Sequence, residues 1–157
     1  MSREDLRQAP EPGPVTTVIT LFRRAAVLMI EDLAGRLEAA GFPDLSASFH
    51  PVFENIDPGG TRLTTLAARA GMTHQSMGEV VDALRERGYL ERRPDPSDGR
   101  ARLVCLTDEG SRLARRALRE IAAIEDQWRS HFAEAGLDRD LRSVLEDAVR
   151  RAAAGRP

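Results

Sequence analysis

Cysteine, aromatic residues, lysine and long apolar runs are scarce or missing in this chain, and each absence removes a class of protein. A single cysteine, Cys105, excludes an intrachain disulfide and any cysteine-rich zinc site. Aromatic residues make up only 4% of the 157, so aliphatic side chains must fill the core, a composition that suits helices. No run approaches the roughly 18 apolar residues of a membrane-spanning helix. The start, MSREDLRQAPEPGP, holds acids and prolines where a signal peptide needs an apolar stretch. A cytoplasmic protein with no membrane partner is expected. All 23 basic residues are arginine, a bias we attribute to genomic base composition. The length suits one domain, with no room expected for a second, catalytic one.

The net charge of −2 conceals a division along the chain. Residues 1–60 hold 5 Arg and 9 acids, whereas residues 61–119 hold 12 Arg and 8 acids. Residues 120–149 return to acidity, with 3 Arg and 8 acids. Phosphate contacts need local positive charge rather than a high isoelectric point, so the basic middle is a candidate nucleic-acid surface. Solvated helix faces would give the same charge pattern, and the pattern alone does not separate the two.

Residues 1–14, rich in proline, read as a frayed tail. From Val15, apolar residues recur at Val18, Phe22, Ala25, Met29, Leu33 and Leu37, widened by Leu21 and Leu28, until Gly41 and Pro43 stop a long first helix. Its stripe is broad enough to face both its own core and a partner chain. A short helix follows over 46–56. Then two further short helices, the second capped by Thr73 and ended by Gly88, are joined by a turn at Gly71. Helix, glycine turn and helix make a helix-turn-helix pattern. After Gly88, Tyr89–Arg93 and Arg102–Thr107 read as two strands around a turn-rich tip at Pro94–Ala101. Thr107 caps a final long helix reaching about Phe132, Gly136 breaks it, and Leu137 to Ala152 define a last amphipathic helix.

A helix pair followed by a charged hairpin is a winged helix, which can put its second helix into the major groove while the hairpin follows the backbone. On that helix Met77, Val80, Val81 and Leu84 form the core face, so Gln75, Glu79, Asp82 and Glu86 point away from it, with His74, Ser76 and Gly78 at its front. Gln75 can pair with adenine, Glu79 can accept from a cytosine amino group, and Gly78 permits close backbone approach. The helix start at Thr73 offers free amides to a phosphate. Asp82 and Glu86 keep the rear of the helix away from phosphates, so the approach should be end-on. The hairpin supplies Arg92, Arg93, Arg100 and Arg102, and Asp98 is placed to hold the Arg100 guanidinium for insertion into a narrow minor groove. A merely solvated helix face and a self-stabilised turn are the plain alternatives.

The run Leu63–Gly110, with its DPSDGRA tip (Asp95–Ala101) and LTDEG segment (Leu106–Gly110), resembles the central part of MarR family regulators. The resemblance extends in pattern over residues 15–154. It implies a mainly α fold: a winged helix-turn-helix with a two-stranded β-wing and long N- and C-terminal dimerisation helices. Residues 15–157 would form a single domain, with 15–45 and 111–154 as dimerisation helices and 46–110 as the DNA-binding lobe. It further implies a homodimer on double-stranded DNA at a pseudo-palindromic operator, and in many members a small effector that changes the spacing of the recognition helices. Arg100 and Asp98 carry over best, followed by Gln75, Ser76 and His74. Gly78-Glu79 departs from the family, where a basic residue is common at the second position, so no operator sequence can be borrowed. Repression is the expected direction of control, although no residue separates it from activation.

An effector, small and aromatic or amphipathic, would lie between the dimerisation helices and the lobe, where Phe22, Phe49, His50 and Phe53 are candidates for its lining or for ordinary core. Cys105 lacks a resolving partner, and His50, His74 and His131 are dispersed, so neither redox sensing, a metal nor any other cofactor is expected. Catalysis is not expected either, since metal-ligand pairs, a Gly-rich phosphate loop and a nucleophile elbow are all missing. Protein association alone remains the competing use of a winged helix.

Overall fold

A computed structural model of the chain describes residues 17–137 and 139–154. The expected tail at 1–14 lies outside them. Helix α1 (Val18–Ala39) starts on Thr17, whose hydroxyl accepts the Thr20 amide at 3.1 Å. Only Leu33 and Leu37, near its C-terminal end, are buried. A 3-10 turn at Ala47–Phe49 leads into α2 (His50–Asn55), whose Val52 is wholly buried. The helix pair follows as α3 (Leu63–Arg69) and α4 (His74–Glu86). Between them Gly71 adopts φ +62°, and Met72 donates back to the Ala67 carbonyl at 2.9 Å, closing α3 in the left-handed turn that glycine accommodates. Met77, Val81 and Leu84 of α4 point into the core with no more than trace exposure, as the helical spacing requires.

The hairpin pairs β2 (Leu90–Asp95) with β3 (Asp98–Leu106), and a short strand β1 (Thr61–Arg62) adds to the other edge of β3, giving the antiparallel order β1-β3-β2. The wing is therefore the expected two strands plus a third. Two residues are too few to show alternation in sequence, and Thr61-Arg62 read as the approach to a helix. The strands also run further than expected: Pro94–Ala101 is not a loop, since only Pro96 and Ser97 separate β2 from β3.

Helix α5 (Asp108–Glu134) spans 27 residues, about 40 Å at ~1.5 Å each. Its start explains the LTDEG segment. The Thr107 hydroxyl accepts the Gly110 amide at 3.0 Å and reaches the Gly88 carbonyl at 2.6 Å, so one residue caps α5 and ties it to the end of α4. A Cβ on Gly110 would lie 2.0 Å from the Tyr89 carbonyl oxygen, which excludes any larger residue there without movement of backbone. Leu113 and Ile124 join the core. Helix α6 (Leu141–Ala154) buries none of its residues; Arg142 reaches Glu125 of α5, with the Nη2–Oε2 distance 2.7 Å.

Candidate nucleic-acid interface

The front of α4 stands clear of the body. Thr73, His74, Gln75, Ser76 and Glu79 are exposed, and Gly78 is half-buried with Leu63 beneath it. Thr73 is occupied in building the helix end: its Oγ1 accepts the Ser76 amide at 3.1 Å and donates to Ser76 Oγ at 2.9 Å. Gln75 and Glu79 act as a unit, the amide Nε2 donating to Oε1 at 3.2 Å, so either group must exchange that bond for one to a base. His74 makes no side-chain hydrogen bond among the described residues.

The four wing arginines divide into two kinds. Arg92 donates to Asp82 of α4 at 3.0 Å, and Asp82 also accepts from Arg85 at 2.8 Å. Arg93 Nε donates to Glu91 at 2.9 Å, which raises the Arg93 pKa. Arg100 and Arg102, both exposed, have no carboxylate partner among the described residues. Asp82 on the rear of α4 is thus shared between Arg85 and the wing's Arg92, and the wing charge without a carboxylate partner sits toward the tip.

Arg100 owes its position to an irregular register. Pro94 pairs with Arg102, but the next β2 residue, Asp95, pairs with Asp98, so Gly99, Arg100 and Ala101 are extruded from β3. Asp98 does not hold the Arg100 guanidinium, as the sequence suggested. Its Oδ1 accepts the Arg100 backbone amide at 3.1 Å, while its Oδ2 lies 3.5 Å from Arg62 Nη2. A side chain two residues on in a turn reaches the backbone more readily than the head of a long arginine.

Sequence reasoning missed Asp95 and Arg62. Asp95 is only 7% exposed, and both of its carboxylate oxygens are hydrogen-bonded. Its Oδ1 accepts from the Ser97 hydroxyl at 2.6 Å and the Ser97 amide at 2.8 Å, and Arg62 Nε donates to Oδ2 at 2.7 Å. Those bonds, first the Ser97 hydroxyl, then the Ser97 amide, then Arg62, hold its pKa down at about 2. The spacing Asp95-Pro-Ser97 is an Asx-turn signal that was legible; the distant Arg62 left no local trace.

Cys105 is buried on β3, and burial pushes its thiol pKa up, away from the reactive thiolate. Among the described residues no group of three His, Cys, Asp or Glu side chains is disposed to hold a metal ion.

Between α1, α2 and α5 lies a cavity of about 170 Å³. Phe49, His50 and Phe53 line it with Leu33, Leu37 and Leu113. Phe22 does not: α1 contributes Ile30, Leu33, Ala34 and Leu37, and Phe22 lies at least two turns before them, 55% exposed. His50 and Glu54 form a loose pair, 3.9 Å apart, at the polar part of the lining.

Residues 44–101 match the family model described as the MarR family. A helix-turn-helix-type transcriptional regulator of Mycobacterium bovis is 32% identical over 84 residues, covering 54% of this chain. The match spans 55% of that regulator's length. The PcaV transcriptional regulator of Streptomyces coelicolor, in complex with its natural ligand, is similar over 94% of this chain and 99% of its own, with 28% identity and a TM-score of 0.63. The transcriptional repressor CouR of Rhodococcus jostii, bound to a 23-mer DNA duplex, is similar over 87% of this chain and 92% of its own, with 26% identity and a TM-score of 0.62.

Proposed function

The chain belongs to the MarR family, whose members are transcriptional regulators and not enzymes, and from that premise we propose that it is a cytoplasmic, sequence-specific DNA-binding repressor. It works as a homodimer on a pseudo-palindromic operator. The observation that carries this reading is the pairing of an exposed α4 front with a wing whose tip arginines are free of carboxylates while those nearer the helix are neutralised. That arrangement favours end-on docking of α4 in a major groove, with Arg100 directed to the flanking minor groove. Among the described residues, no helix is long and apolar enough to cross a membrane.

Dimerisation rests on the terminal helices. Val18, Leu21, Phe22 and Leu28 form an exposed apolar stripe on α1, and α6 leaves Val149 67% exposed. A stripe of that size on a regulator built for a two-fold operator suits a second copy of the chain. The same exposure supports reading 15–45 and 111–154 as dimerisation helices around a lobe at 46–110, with Leu113 and Ile124 of α5 also packed into the core.

The cavity supports release by a small effector. At about 170 Å³ it slightly exceeds a cavity of about 150 Å³ that accepts benzene, so it suits a single-ring aromatic or small amphipathic molecule. The likeness to a regulator solved with its natural ligand supports the same assignment.

Recovery of genomic fragments bound by the wild-type protein tests the reading. A common pseudo-palindromic sequence is expected, and Arg100→Ala should weaken binding to it by about 1 to 3 kcal/mol without dissociating the dimer. Failure to enrich any sequence would overturn it.

A further inference from the structure

Arg100 is useful to a minor-groove contact only if the extruded Gly99–Ala101 segment is held at one angle, and the segment's own backbone pairing is lost. Something else must fix it. The ends of the tip are Asp95 and Asp98, directly opposite each other across Pro96 and Ser97. Two carboxylates in that position repel, so the closed tip needs a cation between them. Arg62 supplies it from the far edge of the sheet. Its Nη2 lies 2.6 Å from Asp95 Oδ2 and 3.5 Å from Asp98 Oδ2, and Asp98 in turn accepts the Arg100 amide. The chain of contacts runs guanidinium, carboxylate, amide.

We propose that Arg62 is the positioning residue of the wing, fixing where the tip presents Arg100 to DNA. Its place in the fold suits that task. Arg62 ends β1, pairs with Leu103 of β3 and is the residue on which α3 begins, so its backbone belongs at once to the sheet and to the helix pair. Its guanidinium therefore sets the tip relative to the helices rather than only closing a turn. Arg69, Arg85, Arg92 and Arg93 make their ion pairs elsewhere and cannot replace it. A lysine would keep the charge but lose the two nitrogens, Nε and Nη2, that meet Asp95 together.

The inference rests on the DNA-binding reading, and a double-mutant cycle on the full chain separates the two. Operator affinity is measured for wild type, Arg62→Gln, Arg100→Ala and the double variant, on the sequence enriched by the wild-type protein, with thermal melting and sedimentation confirming folded dimers. Arg62→Gln should lose about 10-fold in affinity, and Arg100→Ala, worth about 10-fold or more alone, should cost under about 3-fold in the Arg62→Gln background. An equal Arg100→Ala loss in both backgrounds overturns the positioning role, because general destabilisation would leave the two substitutions independent. If Arg62→Gln does not fold, Asp98→Ala removes both the partner of Arg62 and the acceptor of the Arg100 amide and should show the same non-additivity with Arg100→Ala, while additivity there counts against the proposal. Absence of any enriched sequence for the wild type overturns the DNA-binding reading and this inference with it.

Discussion

The central lobe and the terminal helices of this chain bury their apolar residues to opposite degrees. In the lobe, Val52, Leu66, Met77, Val81 and Leu84 are all at zero exposure, and α3 and α4 close in glycine turns at Gly71 and Gly88. In α1, only two residues are buried along 22, and in α6 none are. The amphipathic pattern of α6 in sequence is as marked as that of α4. What differs is whether the apolar face meets a partner within the same chain. The lobe core, completed by Leu33 and Leu37 of α1 and Leu113 and Ile124 of α5, holds α4 and the wing at fixed angles, whereas the rest of α1 and α6 carry exposed apolar surface that the proposed dimer would cover. In the proposed dimer, burial of that surface would drive association, at about 25 cal/mol per Å² of apolar area.

The largest effect expected from breaking this difference is at the exposed stripe. Leu28, 54% exposed, is harmless to the monomer when changed, but Leu28→Asp would place a charge within the proposed dimer face. Sedimentation should show a monomer at concentrations where wild type is dimeric, with the thermal unfolding of the lobe little altered. Operator affinity should fall by about 100-fold or more, because two half-sites joined in one dimer gain that much over separate binding. A dimer of unchanged stability would place the interface elsewhere.

A smaller contrast lies within the wing. Arg92 lies 3.0 Å from Asp82, which it shares with Arg85 at 2.8 Å. Replacing both, as Arg92→Ala with Asp82→Asn, should change operator affinity by under about 3-fold and stability by less than about 1 kcal/mol, the range for exposed pairs. Arg100→Ala, by contrast, removes charge that nothing in the wing offsets. Equal losses from the two would erase the distinction between paired and unpaired wing arginines.

The lobe was legible in sequence because its signals are local. Helical spacing at Met77, Val81 and Leu84 encodes a face that is satisfied locally, Thr73 and Thr107 announce helix starts, and Gly71 and Gly88 announce stops. The exposed residues at the front of α4 followed directly from that face. Three kinds of feature left no such signal. Strand β1 is too short to alternate and looks the same in sequence as a loop leading into α3. The Arg62–Asp95 contact joins residues 33 apart through side chains alone, and the charge of a distant arginine looks the same in sequence wherever it points. Phe22 fell on the correct stripe of α1 but more than two turns from the cavity, because periodicity specifies a face and not a height along it.

The smallest expected effect at neutral pH distinguishes the two supports of the wing tip. Asp95 has its pKa lowered to about 2 against an ordinary value of 3.8, so the folded state prefers the charged form. Such a group contributes stability that is present above the ordinary pKa and is lost as pH falls through about 4 toward about 2. Between pH 5 and 8 the carboxylate is ionised in both folded and unfolded chains, and its titration should leave the wing and operator binding unaffected. At pH 3 the Asp95 carboxyl, followed by its carbon-13 resonance in the folded protein, should be only about one-tenth protonated, whereas an unperturbed aspartate would be mostly protonated there. The Ser97 hydroxyl is the first cause of the shift and Arg62 only the third. Ser97→Ala should therefore raise the protonated fraction more than Arg62→Gln does, even though Arg62 is the residue that connects the tip to the helix pair. A carboxyl half-protonated near pH 4 in the wild type would mean that the tip is open in solution and that neither support is in place.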